Sequence, residues 1–138
     1  MKELLFIDTE TTGFPPRGRM FETGYVYKGE EFNSMFDPEL GDEHMPTGAS
    51  MTNGKTKEDF IGKPLFRGSQ MERHLTEIIS DSIFVAHHAP FDLDMLEREG
   101  LQPIDYICTK KIAQYLYPDF SMHKLQYLRF KLDLDIEK

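Results

Sequence analysis

Two carboxylates set two residues apart, Asp8 and Glu10, close the apolar run Leu4-Leu5-Phe6-Ile7. A short, continuously apolar run that ends in Asp predicts a strand buried on both faces. Strand side chains alternate, so both carboxylates point the same way. Two acids held side by side repel, and withdrawing them from water is costly unless a positive charge lies between them. A divalent cation that prefers oxygen is the simplest such charge. The same spacing equally suits a strand that runs into a polar turn with both acids solvated. Asp92 is a third candidate, in the first turn of a predicted helix directly after a buried strand. The helix dipole favours an acid there, and it can face the end of a neighbouring strand. An ordinary first-turn acid would be placed the same way.

The elements that must position these residues are legible in outline. Met20 to Tyr27 and Glu31 to Phe36 flank Lys28-Gly29-Glu30 and predict an antiparallel hairpin. From Asp37 to Pro64 the chain is rich in Pro, Gly, Asp, Thr and Asn without a clear period, which predicts a segment that is mostly loop with one helical turn. Met71, Leu75, Ile78 and Ile79 then fall on one face of a helix. Ser82 to Ala86 predicts a buried strand, and Pro90 opens a helix over Phe91 to Glu99 that Gly100 closes. Tyr106 to Cys108 predicts a strand, with Thr109 capping a helix through Tyr117 that Pro118 stops. Ser121 is placed to cap a last helix carrying Leu125, Leu128 and Leu132. Strands first, then alternating helices and strands, imply an α/β fold with a mixed sheet and helices packed on it.

A chain of 138 residues is the size of one domain. The single Cys108 excludes a disulfide framework and fits a reducing compartment. The start Met1-Lys2-Glu3 lacks a signal pattern, and no apolar run approaches the ~20 residues a membrane helix needs, so a cytoplasmic protein without membrane contact is expected. A formal net charge of -8 argues against a protein that coats nucleic acid by charge alone. The charge is uneven, however. Residues 1 to 50 carry four cations against ten acids, whereas residues 106 to 131 carry Lys110, Lys111, Lys124, Arg129 and Lys131 against Asp119 alone. An acidic half able to hold cations beside a basic stretch able to hold phosphates is compatible with a metal-dependent nuclease, and equally with solvated helix faces.

Two stretches resemble a known family. Phe6-Ile7-Asp8-Thr9-Glu10-Thr11-Thr12-Gly13 is similar to the first motif of the DnaQ-like, or DEDD, 3′→5′ exonucleases, and Val85-Ala86-His87-His88-Ala89-Pro90-Phe91-Asp92 to the second. Thr52 to Pro64, Ile107-Cys108-Thr109, Ile112-Ala113 and Leu116-Tyr117-Pro118 also resemble the branch that includes exonuclease X and the proofreading epsilon subunit of DNA polymerase III. The resemblance implies a ribonuclease-H-like mixed sheet flanked by helices, over residues 1–138 as one exonuclease domain. It implies hydrolytic release of nucleotides from 3′ ends of single-stranded or frayed DNA, with a DNA polymerase as a possible partner. It assigns Asp8, Glu10 and Asp92 as catalytic ligands of two Mg²⁺ or Mn²⁺ ions, and Thr11, Thr12 and Gly13 as contacts to the terminal nucleotide. Phe14 or Phe60 could stack on bases, although such side chains are commonly core or cover.

The pattern departs from the family in two places. The second motif has Asn after its first His, and this chain has His88, which offers one donor and one acceptor in a fixed geometry and so can alter substrate or loop positioning. The third motif supplies a base and a fourth carboxylate, as His-x-x-x-x-Asp or Tyr-x-x-x-Asp. His123 has Leu128 five residues on, and Tyr115 with Asp119 matches the second spacing but follows Asp92 too closely and straddles Pro118. The chain thus reads as an exonuclease domain that stops short of its third motif, and its second reading is a catalytically inactive module that binds nucleic acid or a polymerase.

Overall fold

Alternation along the first strand sets the layout of the molecule. In the computed structural model, which describes residues 1–103 and 105–134, strand β1 (Glu3–Thr11) buries Leu5, Ile7, Thr9 and Thr11 and turns Leu4, Phe6 and Asp8 outward. The expected burial on both faces is therefore not found: Leu4 is 42% and Phe6 48% exposed. The physical reason is that helices α2 (Gln70–Ile78) and α3 (Ala89–Arg98) cover one face of this strand.

β1 is central in a five-stranded sheet of order β3-β2-β1-β4-β5. β2 (Met20–Tyr27) pairs antiparallel with β1, and β3 (Glu30–Met35) continues the hairpin on its far side. β4 (Ser82–Ala86) and β5 (Asp105–Cys108) run parallel to β1 on the other side. The expected mixed α/β sheet is thus present. After β1 the chain turns to β2 on one side, whereas after β4 it crosses to β5 on the other. The carboxyl ends of β1 and β4, adjacent and parallel, therefore form the kind of crevice where ligands bind in open α/β sheets.

The core lies between the sheet and two helices. Leu5, Ile7, Phe84 and Ala86 face Met71, Leu75 and Ile78 of α2 (Gln70–Ile78) and Leu96 of α3 (Ala89–Arg98). The helical face expected from Met71, Leu75 and Ile78 is the buried face of α2. Ser69 caps that helix, its hydroxyl accepting from the Glu72 amide at 3.1 Å, while Glu72 accepts from the Gly68 amide at 3.0 Å.

Three expectations need correction. The segment 37–64 is mostly loop, but it holds more than one helical turn: α1 (Thr47–Asn53), which ends where Gly54 turns left-handed and donates to the Ser50 carbonyl, and a 3-10 turn at Lys57–Phe60 capped by Thr56 and Asp59. Short helices without an apolar period escape pattern reading, and α1 has no buried residue at all. The cap of α4 (Thr109–Leu116) is Cys108 rather than Thr109, whose hydroxyl instead donates to the Ala86 carbonyl on β4 at 3.3 Å. The last helix, α5 (Leu125–Lys131), starts after Lys124 rather than Ser121, and the Ser121 hydroxyl donates to Tyr127 Oη.

Among the described residues no helix is long and apolar enough to cross a membrane. Leu75 is wholly buried where α2 meets the sheet. Leu75→Ala should cost about 2–5 kcal/mol in a urea unfolding curve, the range for a cavity left in a packed core. A loss under about 1 kcal/mol would mean that α2 is not seated as described.

Candidate active site

Four acidic side chains gather at the carboxyl end of β1. Asp8 and Glu10 share its outward face, as their spacing requires. Asp92 comes from the first turn of α3 and is 3% exposed. The Thr9 hydroxyl donates to Asp92 Oδ1 at 2.6 Å, and the Thr9 amide donates to the same oxygen at 3.1 Å, leaving Oδ2 outside the pairing. The structure thus brings together the three carboxylates singled out in the sequence. It adds Glu22, which the sequence reasoning missed: Glu22 is the direct partner of Glu10 across β1 and β2. Like charges directly opposed on one face of a sheet destabilise it. The face alternation of β2 carried a signal for Glu22, but only the β1–β2 register, with its irregularity between Glu10 and Thr11, sets it against Glu10.

The electrostatics follow from this crowding. Burial pushes the Asp92 carboxyl up to about 6, opposed by the Thr9 hydroxyl and reinforced by the charge of Asp8. Asp8 is also held above its ordinary range, mainly by partial withdrawal from solvent; the Thr9 amide opposes this, Glu22 adds to it, and His87 opposes it. Glu10 is raised first by burial and then by Asp8 and Glu22. Among the described residues none of these four acids has an ion-pair partner. An all-oxygen anionic donor set of this kind fits Mg²⁺ or Mn²⁺. The carboxylates ring the strand end without closing on a point, since no three metal-ligating side chains among the described residues converge closely enough to hold an ion.

Two clefts lie beside these acids. One, of about 450 Å³, lies over the outward face of the sheet and includes Phe6, Asp8, Gly24, Val26, Val85 and His87. The other, of about 500 Å³, has Glu10 to Phe14 on one wall, Gly48, Ala49, Thr52 and Asn53 of α1 on another, and Phe91 beside them. Thr11, Thr12 and Gly13 therefore line a cleft next to the acids. Thr11 Oγ1 donates to the Gly13 carbonyl at 2.9 Å, and Thr12 Oγ1 accepts from the Arg19 amide at 2.9 Å. Phe14 stands 81% exposed at the rim, edge-on to Phe91 with ring centres 5.8 Å apart. Phe60 does not reach this cleft: it is buried with Phe21 and Met45 in a satellite core, so stacking on bases there is excluded for it.

His88 caps α3 in the left-handed conformation at φ 69°, ψ 52°, its ring 6.5 Å from that of Phe91. Asn and His are among the few side chains that tolerate this backbone, which accounts for a His where the resemblance expects Asn. Desolvation holds its imidazole below the ordinary range, helped by Lys110, His87 and Lys111. The imidazoles of His87 and His123 have structural bonds. His87 Nε2 donates to the His123 carbonyl at 2.7 Å and its Nδ1 meets Thr109 Oγ1 at 2.9 Å, while His123 Nε2 donates to the Tyr117 carbonyl at 2.8 Å. Tyr115 is 85% exposed on α4, and neither it nor Asp119 is among the groups whose charge moves the site carboxylates.

Asp92 makes stability depend on pH with a definite sign. Its folded value of about 6 lies above its ordinary 3.8, so the folded state binds the proton more tightly. Stability from this group is complete below about pH 4 and is lost as pH rises to 6, by up to about 3 kcal/mol. In EDTA, urea curves from pH 4 to 7 should show wild type losing that much relative to Asp92→Asn; a pH-independent difference would contradict the site as described.

Comparison with known proteins places this arrangement. The exonuclease family model of the RNase T type matches residues 5–138. The DNA polymerase III subunit epsilon of Rickettsia felis is 33% identical over 149 aligned residues, covering 94% of this chain and 62% of that protein. The PolC-type DNA polymerase III of Streptococcus suis is 32% identical, covering 94% of this chain and 9% of that protein. The chain thus spans less than two thirds of the length of these relatives. Among solved structures, exonuclease X in complex with 5′ overhanging duplex DNA superposes with a TM-score of 0.71 at 25% identity, covering 98% of this chain and 76% of that one. Product-bound exonuclease I superposes at 0.78 with 16% identity, covering 100% and 40%, and shows the same ribonuclease-H-like fold. On the match from residue 5 to residue 138 and the shared fold, the chain belongs to the exonuclease family and is DnaQ-like.

Proposed function

We propose that residues 1–138 form one metal-dependent 3′→5′ exonuclease domain that hydrolyses nucleotides from 3′ ends of single-stranded or frayed DNA. The observation that carries this reading is the set of unpaired carboxylates on β1, β2 and α3 beside a cleft of nucleoside size. Asp8, Glu10 and Asp92 would hold two Mg²⁺ or Mn²⁺ ions. The chemistry such ions bring is activation of a water and stabilisation of the leaving 3′ oxygen.

The chain's own residues prepare that reaction. Thr9 fixes Asp92 through two hydrogen bonds, so this carboxylate needs no rearrangement to face the strand end. Glu10 lines the cleft that would seat the terminal nucleoside, and Asp8 lines the neighbouring one, so the scissile phosphate would lie at the divide. The backbone of Thr11, Thr12 and Gly13 forms the wall against the sugar, and Phe14 with Phe91 offers an aromatic rim for the base. His88 stands beyond Phe91, with Lys110 and Lys111 close enough to lower its pKa, where the strand would leave. The relatives named for DNA polymerase III make a DNA polymerase the partner this reading implies.

One observation favours a second reading, a module that binds nucleic acid without cutting it. His87, the imidazole whose charge reaches Asp8, has both ring nitrogens engaged and is not free to take a proton from water.

A 5′-labelled oligonucleotide in Mn²⁺ separates the two. The first reading expects stepwise shortening from the 3′ end, abolished by EDTA and reduced on the order of 10²-fold or more by Asp8→Asn, the scale of one lost preorganised contact. Binding without shortening would establish the second, and shortening that survives EDTA would sink the metal site.

A further inference from the structure

The loop Thr12–Arg19, which follows Glu10 and carries Phe14, is a closed unit. The Thr12 amide donates to the Arg19 carbonyl and the Gly18 amide to the Phe14 carbonyl, each at 2.9 Å. There is no slack inside it, since a Cβ on Gly18 would lie 1.9 Å from the Gly13 carbonyl oxygen. What the loop lacks is attachment by apolar burial, for Phe14 is exposed and touches Phe91 only by its edge.

The attachment comes instead from the far end of α3. Glu99, at the C-cap of that helix, has a side chain only 4% exposed. Its Oε1 accepts from Arg19 at 3.0 Å and its Oε2 from Arg67 Nε at 3.2 Å. Beside it, Arg98 donates to the Pro16 carbonyl at 2.7 Å, and Arg67 donates to the Arg98 carbonyl at 2.6 Å. The loop is therefore laid along α3, with Phe14 at Phe91 near the start of the helix, Pro16 at Arg98, and Arg19 at Glu99. A carboxylate this deeply placed is tolerated because two guanidiniums neutralise it, and a charged pair of this kind holds its geometry when the alternative is an unpaired buried charge.

We infer that Glu99 is a positioning residue, whose grip on Arg19 holds the Phe14 loop against α3 and so fixes one wall of the cleft beside Glu10. This rests on that cleft as the seat of the terminal nucleoside. Glu99 touches neither the acids nor the cleft, so it acts on substrate placement and leaves the cation site alone. The segments it joins are 80 residues apart in the chain and are the ones that carry Glu10 and Asp92. One carboxylate thus aligns the substrate wall with the helix that supplies the buried acid.

The test is Glu99→Gln, which keeps the shape and removes the charge, in the full chain. Amide hydrogen exchange at Thr12, Gly18 and Arg19, whose amides the closed loop holds, should quicken. Affinity for a fluorescein-labelled oligothymidylate with a free 3′ end, read by anisotropy in Ca²⁺, should fall about tenfold, the scale of one lost charged hydrogen bond. Mn²⁺ affinity should stay within twofold. Arg67→Gln, which strips the other guanidinium from Glu99 and leaves Arg19 in place, should weaken the oligonucleotide less than twofold. Unchanged exchange at these three amides, faster exchange with unchanged affinity, or equal losses in both variants would each overturn the inference. If Glu99→Gln does not fold, Arg19→Gln removes the link from its exposed end together with the pair to Glu39, which Glu39→Gln removes alone, and the difference between these two variants is judged by the same outcomes. A wild type that binds no oligonucleotide overturns the cleft assignment and this inference together. A wild type that binds but does not hydrolyse, and loses binding on Glu99→Gln, upholds the inference and removes only the nuclease reading.

Discussion

The pair of hydrogen bonds from Thr9 to Asp92 decides where α3 begins relative to β1, and the placement of nearly everything around the site follows from that join. Hydrogen bonds to a charged acceptor are worth about 1.5–3 kcal/mol each, which is enough to hold one carboxylate in a crowded, poorly solvated spot. It does not neutralise the crowd. Asp8 stands near Asp92, and Glu10 near Asp8 and Glu22, with no ion-pair partner among the described residues, and the raised carboxyls of Asp8, Glu10 and Asp92 record the cost. A fold that stabilised itself alone would place Lys or Arg among them. The paired arginines of this fold are used elsewhere, at Glu99, Glu39 and Asp94, so the strand end keeps its negative charge.

Sheet topology explains why the strand end is available. β1 is the strand at which pairing changes from antiparallel to parallel, and the connections after β1 and β4 leave on opposite sides. The crevice between their carboxyl ends is left open by connectivity, so it needs no special residues to form. The face of β1 that carries Asp8 is the one not buried by α2 and α3, and its apolar members Leu4 and Phe6 are exposed for the same reason. Openness and acidity at this place thus share one cause.

What the sequence made legible was set by distance along the chain. Asp8 and Glu10 could be put on one face from their spacing, and the buried side of α2 from Met71, Leu75 and Ile78, because both patterns are local. Asp92 could be placed in a first turn for the same reason, with its partner Thr9 out of view 83 residues away. Glu22 as a neighbour of Glu10 needed a strand register, and Glu99 as an anchor for Arg19 needed a contact across 80 residues. The apolar run Leu4 to Ile7 suggested burial on both faces, but hydrophobicity does not say what lies opposite a strand. α1 exceeds the single turn expected because it buries nothing that a pattern could show, and Phe60 takes the core position common for such side chains, leaving only Phe14 of the two stacking candidates at the cleft.

The uneven charge of the chain takes on meaning only in three dimensions. Lys110 and Lys111 open α4 and reach His88, whereas the acids cluster at the ends of β1 and β2. His88 stands between these regions and next to Phe91, whose ring also borders the cleft beside Glu10. A polyanion approaching this surface meets repulsion over the carboxylates unless cations are bound there, and attraction over α4 in either case. Binding of nucleic acid would then have two parts of different character. One is screened by salt and independent of divalent ions, and the other appears only when the carboxylates are neutralised. The fold separates these parts by little more than the width of the His88, Phe91 and Phe14 row, so a strand held by α4 would deliver its end to the acids without crossing open solvent.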